Sequence, residues 1–134
     1  ITRSNTPEWV GHAAIYSGQP SPCIYHDLMV RVPVNPERAD KHFVWRWFQS
    51  PRVREYIGAN AKGTSPTMKK IAQGTVMRIP FPSSLKLAEQ RRIVVYLDDL
   101  QAKVDAIKAL QAKTAAELDA LLPSVLDNAF KGEL

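Results

Sequence analysis

Cysteine is nearly missing from this sequence: Cys23 stands alone among 134 residues, which excludes an internal disulfide and a cysteine-based metal site. It is expected to be a small buried hydrophobe. Histidine is scarce too, and His12, His26 and His42 are scattered without ligand spacing. No apolar run approaches the roughly 18 residues of a membrane span, and no basic-then-apolar leader opens the chain. The expectation is a cytoplasmic chain with no membrane partner, metal or cofactor. Because it begins at Ile1 and not at Met, it reads as a fragment.

Acids are few where catalysis would need them. Only Glu8, Asp27, Glu37, Asp40 and Glu55 precede residue 83, and no pair is spaced to hold a divalent metal for nuclease chemistry. A glycine-rich cofactor loop and an Asn/Asp-Pro-Pro-aromatic segment are both absent, which argues against DNA methyl transfer. No nucleophile has an evident base partner. The chain is read as a non-enzyme without catalytic residues.

What is present is positive charge, and it is uneven. Residues 1–82 hold eleven Lys and Arg against five acids, whereas residues 83–134 hold seven against eight. The first part therefore suits a polyanion, and the second is nearly neutral.

Turn-bounded apolar pieces, "HAAIY", "CIY" and "LMVRV", predict short strands in the first thirty-five residues. Asn35 with Pro36 predicts the start of a helix carrying Phe43, Trp47 and Phe48. Ser50 with Pro51 predicts a second helix, carrying Val53, Tyr56 and Ile57 and stopped by Gly58. In "AKGTSPTMKKIAQG", Ser65 as cap, Pro66 as first residue and Gly74 as stop predict two helical turns over 66–73. Free amides at that start, with Thr64, Ser65, Lys62, Lys69 and Lys70, would suit a phosphate; a plain capped helix with solvated lysines is the alternative. "TVMRIPFP" predicts a further strand.

From Leu87 the pattern changes. Ile93, Leu97, Leu100, Val104, Ile107, Gln111, Thr114, Leu118 and Leu121 alternate steps of four and three, the heptad spacing of a coiled coil. A helix over 87–122 would be about 54 Å long, more than its own domain can cover. It requires a partner helix. The polar Gln111 and Thr114 cost stability at seam positions and can set register. Pro123 predicts a break near Leu121 and Leu122, followed by a short helix over 124–131 stopped by Gly132. Together these elements predict an α+β chain: a small mixed recognition domain over 1–82, then a helical region over 83–134.

Three segments carry a resemblance. "RIPFPSSLKLAEQRRIVVYLDDL", "KGTSPTMKKI" upstream of it, and the ending "ELDALLPSVLDNAFKGEL" are, in this order and spacing, similar to the C-terminal half of a specificity subunit from a type I restriction-modification system. The family's Pro-Pro-Leu before Ala-Glu-Gln is replaced here by Lys86 and Leu87 after Ser83, Ser84 and Leu85. The resemblance implies a target-recognition domain lacking its first strands, bound to one half of a bipartite DNA site, and a spacer helix that pairs antiparallel with another. It implies docking of methyltransferase subunits, through which the restriction subunit joins; the seam itself, needing a partner helix, predicts a homodimer when the chain is alone. The candidate DNA contacts are Arg3, Ser4, Lys62, Thr64, Ser65, Lys69 and Lys70, with Arg3 the candidate base reader because the family has an Arg-containing loop there and Arg can bond guanine bidentately. The candidate dimer residues are Ile93, Leu97, Leu100, Val104, Ile107, Leu118 and Leu121. The competing class is a coiled-coil homodimer whose basic domain binds an acidic partner other than DNA.

Overall fold

Asp40, not Asn35, starts the first helix. In the computed structural model, which describes residues 1–65 and 67–132 and all their side chains but those of Leu122 and Ser124, α1 spans Lys41–Gln49. The Asp40 carboxylate accepts from His42 N at 2.9 Å and Phe43 N at 3.1 Å. Asn35 makes only a single turn, its Oδ1 accepting from Glu37 N at 2.9 Å. A helix begun at Pro36 would need the Asp40 N–H for its own ladder, and that N–H goes instead to Gln90 Oε1 at 3.0 Å. A long-range bond decides the boundary.

Ser50 serves two helices. Its N–H caps α1 on Trp47 O, its hydroxyl accepts from Val53 N, and Pro51 takes the first position of α2 (Pro51–Asn60), as predicted. Gly58 does not stop α2; the Ala61 N–H still reaches Ile57 O at 2.8 Å, and the last turn closes normally.

The expected helix over 66–73 is not formed. Lys69–Lys70 is a strand, β2, antiparallel to β1 (Ser4–Asn5) with Ser4 opposite Lys70 and Asn5 opposite Lys69. Pro66, the expected first helical residue, lies outside the described residues. The strand leads Ile71 into the core at 1% exposure, and its N–H pairs with Arg3 O at 2.9 Å. That burial and pairing outweigh a local cap signal. Gly74, expected as a stop, lies inside α3 (Gln73–Met77), which turns Thr75 and Val76 inward where a strand was expected.

The strands expected near residues 12–16, 23–25 and 28–32 are absent as well, apart from one isolated bridge between Thr2 and Met29. Residues 16–29 are exposed throughout, and an extended segment without a ladder partner is not a strand. Cys23 is exposed, not buried. The architecture remains α+β.

The core is built from six residues, Val10, Phe48 of α1, Val53 and Ile57 of α2, Ile71, and Val76 of α3. Gly11 lets the chain pass over it, with φ at +75° and an added Cβ only 2.7 Å from Ile57 Cδ1. Arg54 closes the same turn, donating to Val10 O and Glu8 O at 2.9 Å each.

α4 runs Leu87–Lys131 without interruption. The expected break does not occur: Pro123 lacks only the N–H that would reach Asp119, and Leu- and Ala-rich turns sustain the ladder on either side. Gly132 ends it as predicted, at φ +73° with its N–H on Ala129 O. Contacts divide the chain into residues 1–94 and 95–134. The first turns of α4 belong to the first unit because Gln90, 0% exposed, donates to Leu85 O at 3.0 Å and Arg38 O at 3.4 Å while accepting from Asp40. The connector also packs there: Trp47 Nε1 donates to Pro80 O at 2.8 Å, and Phe81 meets the Phe43 ring edge-on at 6.0 Å.

In the second unit, every described side chain of α4 from Asp98 onward is exposed. Three i,i+4 ion pairs, Asp99 with Lys103, Lys113 with Glu117 and Asp127 with Lys131, support the helix by about 0.3–0.5 kcal/mol each. No helix among the described residues is long and apolar enough to cross a membrane.

Candidate nucleic-acid interface

Five of the seven candidate DNA contacts, Arg3, Ser4, Lys62, Lys69 and Lys70, lie on one small patch of backbone. Arg3 precedes β1, Lys69 and Lys70 form β2, and Lys62 pairs across from Lys70 through mutual backbone bonds of 2.8 and 2.7 Å. Pairing thus sets two exposed lysines directly opposite one another, and like charges so placed repel unless an anion lies between them. Among the described residues no carboxylate pairs with Arg3, Lys62 or Lys70.

Lys69, Ser4 and the two turn hydroxyls are placed differently from Arg3, Lys62 and Lys70. Lys69 is half-buried and its ammonium donates to Gly63 O at 2.9 Å, which holds the turn before β2. Gly63 itself has φ +154°, and an added Cβ would lie 2.5 Å from Met68 O, so only glycine fits. Thr64 and Ser65 stand exposed on that turn, where the Ser65 hydroxyl accepts from Thr67 N at 3.2 Å and caps no helix. Ser4 is 7% exposed, and its hydroxyl points into the unit without a protein partner. It is poorly placed to meet a duplex.

Two groups of residues escaped the sequence reading. Arg31, Tyr25 and Gln73 line, with Arg3, Met29 and Val30, a polar cleft of about 260 Å³. They come from three segments, so no spacing rule links them. Gln90 is the second: the Ala-Glu-Gln stretch was visible as a motif, but a polar residue near a helix start gives no sign that it will be fully buried.

Charge counting also overstated the supply of free cations. Arg54 is spent on two carbonyls, and burial lowers its pKa from the ordinary guanidinium value. Burial, and secondarily the charge of Arg54, lowers the pKa of nearby His12 as well. Among the described residues no group of three His, Cys, Asp or Glu side chains could hold a metal ion.

The chain is 32% identical over 102 residues to the EcoDI specificity subunit, a type I restriction enzyme component of Escherichia coli. The similarity supports the type I restriction specificity family. The match covers 76% of this chain but 22% of that protein, so the chain spans about a fifth of its relative. No family model and no solved structure matches the chain.

Proposed function

We propose that this chain is a DNA-recognition element of a type I restriction-modification system, non-catalytic and cytoplasmic, that binds one half of a bipartite target. The observation that carries the reading is the opposition of Lys62 and Lys70 beside Arg3, with no carboxylate among the described residues to neutralise them. Phosphate oxygens relieve that repulsion, and Thr64 and Ser65 on the adjoining turn offer hydroxyls to the same backbone. The kinship with a restriction specificity subunit supports DNA over other polyanions.

Assembly follows from the second unit. The exposed seam of Leu100, Val104, Ile107, Leu118 and Leu121, continued back through Ile93 and Leu97, pairs antiparallel with the same helix of a second copy. Parallel pairing would crowd two basic units at one end. The paired helices then set the distance between two half-sites and present a surface to the methyltransferase subunits, through which the restriction subunit is recruited. The same exposed seam favours one other reading, a dimeric interaction module whose basic unit holds an acidic protein.

Duplex titration across a salt series separates them. For the DNA element, log K falls linearly with log salt, and Lys62→Ala with Lys70→Ala weakens all duplexes alike and makes the slope shallower by about one to two units. A slope that does not change with the lysines rejects the phosphate assignment. Leu100→Asp with Ile107→Asp is expected to convert a dimer to a monomer in sedimentation, and a wild-type monomer would reject self-pairing.

A further inference from the structure

The polar cleft lined by Met29 and Val30 gathers Arg3, Arg31, Gln73 and Tyr25. We infer that it reads base edges, and that the half-site contains a guanine read by Arg31 together with Arg3. The inference rests on the DNA reading above and goes further, because it assigns specificity to residues distinct from the phosphate-binding lysines.

The chemistry is that of direct readout. Two guanidiniums in one cleft, neither neutralised by a carboxylate among the described residues, repel each other and present ten N–H donors in two planar forks. Guanine O6 and N7 match one fork, and the Gln73 amide, both donor and acceptor, matches adenine N6 and N7 beside it. Tyr25, 57% exposed, supplies an aromatic wall against which a fork or a base can lie. Placement is firm on one side: the Arg3 N–H donates to Leu28 O at 2.6 Å and its carbonyl accepts from Ile71 at 2.9 Å, so the backbone under its side chain is tied both to the loop and to β2. A preorganised backbone reduces the ordering cost of the contact.

Selection of bound duplexes from a randomised pool tests this, using the whole chain and the variants Arg31→Lys, Arg31→Ala and Arg3→Ala. Wild type is expected to select a motif containing guanine. Arg31→Lys keeps the charge and loses the fork, so discrimination at one guanine position should fall by about 5- to 150-fold while binding to unrelated duplex stays within about twofold. Arg31→Ala should relax the same position. If both variants keep the wild-type motif and only lower affinity uniformly, the cleft holds phosphate and the inference fails while the DNA reading stands. A wild-type chain that binds no duplex overturns both.

Discussion

Ile57 and Ile71 in the first unit are 0% and 1% exposed, whereas Ile107 and Leu118 in the second are 56% and 62% exposed. Both regions hold apolar residues at regular spacing. In residues 1–94, helices, a strand and a turn converge from distant parts of the chain, and each apolar face finds another. In residues 98–131 every described side chain is exposed, so the seam adds little to the stability of the single chain. The first unit keeps its apolar residues for itself and shows its charge; the second pairs much of its charge along its own surface and shows its apolar residues.

The sharpest way to break this contrast is the same substitution in both units. Ile57→Ala should destabilise the first unit by about 2–5 kcal/mol, read in urea by tryptophan fluorescence, since Trp9, Trp45 and Trp47 all lie there. Ile107→Ala should leave that transition within about 0.5 kcal/mol and weaken only association. Equal effects would mean the seam is buried within the chain.

A smaller effect probes the point where α4 is joined to the first unit. Gln90→Leu conserves volume but leaves the Asp40 N–H and the carbonyls of Leu85 and Arg38 without their partner, at a cost of about 1–3 kcal/mol in the same unfolding curve. An unchanged curve would place the first turns of α4 outside the first unit.

The smallest is electrostatic. The lowered pKa of His12 means that the unfolded chain binds its proton more readily. The stability is fully present above the ordinary value of 6.5 and is lost as pH falls through and below it. His12→Asn should flatten that acid-side decline for the first unit and leave the second untouched. A wild-type curve flat from pH 7 to about 5 would remove the assignment.

Strictly local signals could be read from residue order. Ser50 with Pro51 starts α2 because a hydroxyl and a fixed φ act within three residues, and Gly132 ends α4 because it alone accepts a left-handed turn there. The heptad run from Ile93 was legible for the same reason, a helix being a local ladder whose faces follow from spacing. The patch of Lys62, Lys69 and Lys70 was legible as charge but not as a strand, since Ser65 and Gly74 promised a helix that the pairing of Lys70 with Ser4 and Lys62 overrode. Asp40 replaced Asn35 as a cap only because Gln90, fifty residues away, takes its N–H. The cleft of Arg3, Arg31 and Gln73 likewise exists only once three segments meet. Helix ends and faces are decided by neighbours in the chain; strands, burial of a polar residue and convergence of side chains are decided by partners that residue order does not name, because their free energy comes from contacts closed over long loops.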